Sequence, residues 1–326
     1  MNPRFRKVSF LAGVVFFAFL SIIPSTWAQE KYPSKPIRIV VPYDPGGVTD
    51  LGVRAVTDYL TRELKVPMVV ENKSGAAGMI GASDVLKAKP DGYTLLAAGD
   101  AFITAPLQSP NPPYDPFKDF LPICGFGGTP VAFAVHRQSP FKTLGDFVKE
   151  AKASPGKLTV AVTSIGGENH LSFELFRKVA GVNLKLVPYK GTGEAVAAFL
   201  GRHVDMLVLT YVGLVPYIKT GEGRILVVGS SIPGSSLPNF ADAGFSQALL
   251  PRVNAFLCSA KTPKPIYNEL IPAFKRAATH PELAKKWDNI GFVAEFRSPA
   301  DCTQVMKTKW ETYAVLMDEL GLRKQK

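Results

Sequence analysis

One pattern repeats along this chain and constrains its fold more than any other feature. A short β-branched run ends in a turn of small residues, and a helical periodicity follows. Ile37, Arg38, Ile39, Val40 and Val41 form a buried-strand run closed by Pro42 and the Gly46-Gly47 pair. A helix then starts at Thr49 or Asp50, with apolar positions at Leu51, Ala55, Tyr59 and Leu60. Residues 68–71 give a second strand, residues 74–81 a glycine-rich loop leading to a short helix, and Asp91-Gly92 a turn before a strand over 93–98. Repeated alternation of this kind predicts parallel α/β sheets with functional loops at the strands' C-terminal ends.

A proline-dense stretch over 106–122 interrupts the pattern and reads as a boundary segment. Beyond it the alternation resumes. Strands are expected at 131–136, 157–162, 184–187, 205–210, 225–228 and 253–259. Helices are expected at 144–153, 169–180, 194–200, 265–279 and 281–289, and a last one runs to Leu320 from Ser298 as N-cap with Pro299 behind it. A chain of 326 residues suits two domains, and the economical reading is two α/β lobes with a cleft between them.

The N-terminus reads as an address. Arg4, Arg6 and Lys7 precede an apolar run over 10–23, and small residues at Thr26 and Ala28 suit cleavage before Gln29. That run is shorter than the about 20 apolar residues a spanning helix needs, so residues 1–28 fit a secretory signal peptide and the mature protein is expected in the periplasm. The segment holds three basic residues and no acidic ones, so removing it lowers the formal charge from +11 to +8. The remaining basic residues are scattered, without the aromatic-interleaved stripe or reading helix of a nucleic-acid binder. An anionic small molecule is the better match.

Three strand-to-helix turns are built from small residues: 42–50, 71–78 and 163–170. Such turns leave backbone N–H groups at a helix N-terminus, where a carboxylate or phosphate is attracted. Tyr43 and Tyr189, each set in a Pro-Tyr turn, suit cleft walls. Catalytic and cofactor signatures are missing. There is no nucleophile elbow, phosphate loop or dinucleotide fingerprint, and the four histidines lack metal-ligand spacing, so neither a cofactor nor a metal is expected. Ser164 with His170 is the one faint suggestion of a hydrolase. The cysteines Cys124, Cys258 and Cys302 allow at most one disulfide, and Cys124 and Cys258 read as buried small hydrophobes.

In order, these loops resemble the Bug-type extracytoplasmic solute receptors, the binding components of tripartite tricarboxylate transporters. The resemblance rests on Tyr32-Pro33-Ser34-Lys35-Pro36-Ile37, Pro45-Gly46-Gly47 with Thr49-Asp50, Val70-Glu71-Asn72-Lys73 with Gly75 and Gly78, and Pro90-Asp91-Gly92-Tyr93-Thr94-Leu95-Leu96. It continues through Pro113-Tyr114-Asp115-Pro116, Asn169-His170-Leu171, Pro188-Tyr189-Lys190-Gly191 and Thr262-Pro263-Lys264-Pro265.

The resemblance implies a monomeric periplasmic-binding-protein-like fold with two hinge crossings. Lobe 1 would comprise 29–123 plus 226–326, and lobe 2 would comprise 124–225. It implies a receptor, not an enzyme, that captures a small organic carboxylate and hands it to membrane transporter subunits or, alternatively, to a sensor. The ligand residues it implies are Gly46, Gly47, Thr49 and Asp50, then Ser74, Gly75, Ala76, Ala77 and Gly78, then Ser164, Gly166, Gly167, Asn169 and His170; Tyr43, Asp44 and Tyr189 join them from the turns above. Asp50 is expected to cap its helix, since a carboxylate repels an anion. Asp44 stands where relatives often carry a neutral residue, which suggests a ligand amino, amide or hydroxyl group beside it.

Overall fold

The computed structural model describes residues 31–324; the signal peptide expected over 1–28 and its cleavage point lie outside them. From Lys35 the chain forms one compact unit holding two sheets.

In the first, β1 (Ile37–Val41) is followed by α1 (Val48–Leu64), β2 (Met68–Asn72), α2 (Met79–Lys87), β3 (Thr94–Ala98), α3 (Ala101–Leu107) and β4 (Phe120–Gly128). The chain then builds the second sheet with β5 (Val131–His136), α4 (Leu144–Ala153), β6 (Thr159–Thr163), α5 (Glu168–Ala180), β7 (Lys185–Tyr189), α6 (Thr192–Leu200), β8 (Met206–Thr210), α7 (Tyr211–Lys219) and β9 (Gly223–Val228). It returns to the first through β10 (Ala255–Ser259), α8 (Lys264–Ala278), α9 (Pro281–Asn289), β11 (Val293–Arg297) and α10 (Pro299–Glu319).

The strand order is β2-β1-β3-β10-β4-β11 in one sheet and β7-β6-β8-β5-β9 in the other. Both sheets are mixed, not purely parallel as the alternation alone predicts. β1 pairs parallel with β2 and β3, and β6 with β7 and β8, as right-handed strand–helix–strand units require. The strands that carry the chain between lobes run antiparallel to these: β10 against β3 and β4, and β5 against β8 and β9.

The crossings fall slightly later than the sequence-based bounds. β4 stays in the first sheet through Gly128, so the crossing is at Thr129-Pro130, not 123/124; β9 stays in the second through Val228, so the return begins at Gly229, not 226. The proline-rich stretch over 106–122 is not an interlobe boundary. Pro106 closes α3, Tyr114 stacks on Phe102, and Pro122 lies inside β4. α3, β4, α7 and β11 are elements that apolar periodicity did not reveal, because prolines or glycines break each pattern or its flanks.

Each lobe has its own apolar core. Phe133, Phe147, Phe173, Phe176 and Phe240 fill one side of the second sheet, and Val40, Leu96, Phe102, Phe120 and Leu257 belong to the core of the first. Cys124, Cys258 and Cys302 are buried free thiols; burial raises all three pKa values, those of Cys258 and Cys302 to about 11 and about 12. No helix among the described residues is long and apolar enough to cross a membrane.

Gly127, just before the first crossing, has φ +44°, and a Cβ there would sit 2.0 Å from the Val293 carbonyl oxygen of β11. Gly221 has φ +74° but faces open space. Gly221→Ala should therefore cost about 1 kcal/mol, whereas Gly127→Ala should cost more than about 3 kcal/mol or prevent folding. Urea denaturation of the two variants checks this; equal losses would contradict it.

Candidate functional site

A cavity of about 200 Å³ lies between the two lobes, below the roughly 300–1,000 Å³ of drug-sized pockets. The ends of the central strands supply its walls. Tyr43, Val48 and Thr49 follow β1, Gly99, Asp100 and Ala101 follow β3, Glu168 and Ser172 open α5 after β6, and Thr210 ends β8. Both crossings also face it, through Thr129 and Pro130 on one and Gly229, Ala248, Leu250, Arg252 and Asn254 on the other. A site at the crossings is touched by both lobes, so lobe movement changes its shape.

Gly99 is the close-approach point of the first lobe's wall. Its N–H donates to the Tyr43 hydroxyl at 3.0 Å. A Cβ at Gly99 would meet Asn254 Oδ1 at 3.2 Å, Thr49 Oγ1 at 3.3 Å and Tyr43 Oη at 3.5 Å. Asn254 is fixed in turn by donating from Nδ2 to the Gly127 carbonyl at 3.0 Å. α1 begins at this wall with Gly47 as N-cap and no side-chain cap, and α5 begins opposite with Gly167 and none either.

Charge at the cavity is concentrated in two groups. Lys309, 1% exposed, pairs with Asp100 of the first lobe and donates to Glu168 Oε1 of the second at 2.8 Å and to the Pro251 carbonyl at 3.2 Å. Burial and then the Asp100 charge raise Glu168 to about 7, against the pull of Lys309. Burial alone would lower Lys309, but Asp100 and Glu168 outweigh it and hold the ammonium protonated. The second group is Arg252, 5% exposed. Its Nη2 reaches Glu295 only at 3.5 Å, and its Nε and Nη1 have no hydrogen-bond partner.

Of the residues named from sequence, Tyr43 and Thr49 line the cavity. The others stand around or behind it. Asp50 is buried, accepting from Gly46 N–H at 2.9 Å, Asn72 Nδ2 at 2.9 Å and Arg54 Nε at 3.0 Å. Burial would raise this carboxyl, yet those hydrogen bonds hold it below the usual aspartate range. Asp50 thus occupies the Gly46 amide that an outside anion was expected to use, and Gly47 N–H goes to the Asp44 carbonyl at 3.3 Å. Asp44 itself is exposed and off the cavity wall.

Ser74, Gly75, Ala76, Ala77 and Gly78 follow β2, an edge strand, and so lie outside the cavity lining. Their loop still backs the wall, since a Cβ at Gly78 would lie 3.3 Å from the Tyr43 ring. Tyr189 ends β7, the edge strand of the other sheet, and packs half-buried in that lobe's core. Ser164 is exposed with φ 53°, Gly166 is covered by Gln108, and Gly167 caps α5; none of the three lines the cavity. Asn169 donates to Thr163 Oγ1 at 3.0 Å, outside the lining.

His170 also lies behind the lining, where its Nδ1 accepts from Gly166 N–H at 3.1 Å and its Nε2 sits 3.6 Å from Glu174 Oε1. Burial, then the Arg177 charge, lower its pKa to about 4. Both ring nitrogens are thereby turned to structural neighbours, and neither is positioned to take a proton from Ser164.

Asp100, Arg252 and Asn254 are among the lining residues that the sequence reading did not name. Asp100 follows a predicted strand through Gly99, so the strand-end rule points to it. Arg252 is a lone base among Leu249, Leu250, Pro251 and Val253, a departure from that segment's apolar character.

The two sheets, two crossings and cleft define a two-lobed α/β solute-binding protein. The chain belongs to the tripartite tricarboxylate transporter family of receptors, whose sequence pattern matches residues 53–322. Protein BugT of Bordetella pertussis is 31% identical over 245 residues, 73% of this chain and 74% of BugT. A TctC solute binding protein from Polaromonas superposes with TM-score 0.79 at 26% identity, covering 88% of this chain and 99% of that one. R. palustris Rpa4515 with adipate gives TM-score 0.73 at 27% identity, over 89% of this chain and 98% of that one.

A histidine whose folded pKa of about 4 lies below its unfolded value near 6.5 stabilises the fold fully above pH 6.5 and loses that contribution as pH falls toward 4. Between pH 7.5 and 5 the loss from His170 should be about 2 kcal/mol. His170→Asn keeps an acceptor for Gly166 N–H but cannot charge, so its stability should fall less over the same range. Glu174, whose carboxyl burial raises against Arg177, is present in both proteins. Equal pH slopes in chemical denaturation would contradict this account.

Proposed function

We propose that this protein is an exported, monomeric receptor that captures a small organic carboxylate in the interlobe cavity. It passes that acid to the membrane subunits of a tripartite tricarboxylate-type transporter. The observation that carries the reading is the cavity itself: small, placed at both crossings, bordered by helix N-termini without side-chain caps, and lined in part by Arg252, whose Nε and Nη1 lack partners. Membership of a receptor family, one relative of which holds adipate, supports it. The basic head and apolar run of 1–28 support export. Lobe closure about Thr129-Pro130 and the 229–254 segment would seal the acid from water, and opening would release it.

Among the sequence-named residues, Tyr43 and Thr49 are the direct contacts in this reading. Asp50, Gly78 and His170 hold the walls in place. The hydrolase alternative has no support in the arrangement of Ser164 and His170, and the reading is of binding without turnover.

A ligand that binds only the folded state raises the melting temperature by mass action. The test is a thermal-shift and calorimetric panel on the mature chain with succinate, malate, adipate, benzoate, aspartate and glutamate, with neutral sugars as controls. At least one acid should shift the midpoint by several degrees, bind one to one and be recovered unchanged. Gly99→Ala, which places a methyl among three cavity oxygens, should weaken that acid at least tenfold. Stabilisation by neutral sugars alone, or conversion of the acid, would overturn the proposal.

A further inference from the structure

Several buried charges among the described residues are matched closely. Lys309 has three acceptors, Asp50 has three donors, and Glu174 holds Arg177 at 2.5 Å. Two cavity residues depart from this: Glu168, whose Oε2 has no hydrogen-bond partner, and Arg252, a guanidinium 5% exposed whose Nε and Nη1 are both unpartnered. A buried N–H left unpaired is destabilising, and Arg252 is one of the residues that line the cavity, where a ligand can satisfy it.

The surroundings keep Arg252 in place without neutralising it. Its stem crosses Gly128, where a Cβ would lie 3.2 Å from Arg252 Cδ, so the backbone of β4 supports the side chain from below. Its one acidic contact, Glu295, is shared. The other Glu295 oxygen accepts from Arg297 Nη2 at 2.7 Å, while Arg297 Nη1 donates to the Arg252 carbonyl at 2.6 Å. Two guanidiniums therefore divide one carboxylate. Across the cavity Asp100 and Glu168 are both engaged by Lys309. Burial and the Asp100 charge raise the Glu168 carboxyl, which favours its neutral form.

We propose that Arg252 is the direct anion anchor of this receptor, donating from Nε and Nη1 to a ligand carboxylate and so selecting acids over their amides. This rests on the receptor reading above and deepens it. Recognition would then depend on a charge-assisted contact in addition to helix N-termini and hydroxyls, with Glu295 acting as a competitor that holds the guanidinium when the cavity is empty.

The experiment measures, by calorimetry, the affinity of the panel acid that wild type binds most tightly, alongside the neutral amide of that acid. Arg252→Met should weaken the acid at least 30-fold while leaving the amide within about threefold, so that the acid-to-amide preference collapses. Arg252→Lys keeps the charge on a different donor geometry and should fall between the two. Glu295→Gln removes the competitor and should tighten the acid several-fold, a gain that a purely structural Arg252 would not produce. Circular dichroism and the ligand-free melting temperature check folding, and Arg252→Lys with Glu295→Gln decides the matter if Arg252→Met does not fold. Acid binding within threefold of wild type in every folded Arg252 variant overturns the anchor and leaves the receptor reading standing. Wild type that binds none of the acids overturns both.

Discussion

The arrangement depends on one buried ammonium. Lys309 projects from α10, packed on the first lobe, and is shared by Asp100 at the entry to α3, Glu168 at the entry to α5, and the Pro251 carbonyl of the second crossing. Burying a charge costs several kcal/mol unless its partners are well placed. Here the partners come from both lobes and from the segment joining them, so satisfying Lys309 fixes the relative position of all three. The triad lies against the cavity, and any opening must hydrate Glu168 and leave Lys309 with fewer partners.

Around that fixed point the molecule divides its labour by strand position. Loops after central strands β1, β3, β6 and β8 reach the cavity, whereas loops after the edge strands β2 and β7 do not. Position in the sheet therefore decides which of several similar glycine turns can touch a ligand. The turn at Gly46-Gly47 shows a second constraint. An internal carboxylate, Asp50, already takes the Gly46 amide there, pinned by Arg54 and Asn72, and the turn serves to orient α1 and Tyr43.

Much of the fold was legible in the sequence because alternating β-branched runs and capped helices report local structure directly. Strands 37–41 and 131–136 and helix 144–153 emerge at the expected residues. Strand direction was not legible, since antiparallel β5 and β10 are set by where the chain crosses between lobes, a long-range property. β4 was hidden by Pro122 and three glycines, which lower β propensity although its place in the sheet is secure. At the site, Tyr43 and Thr49 followed from strand-end logic and family resemblance. Arg252 and Asn254 did not, because they sit in an irregular crossing whose approach to Gly99 and Gly128 only the tertiary fold creates.

The central claim is that a small acid is held where both crossings meet the ends of the central strands. A crystal structure of the complex with a bound acid tests it most directly. The account predicts carboxylate density enclosed by both lobes, against Thr49, Gly99 and Arg252, with the Lys309 triad intact. Density on the Ser74–Gly78 loop or beside Asp44, outside the cavity, would contradict it.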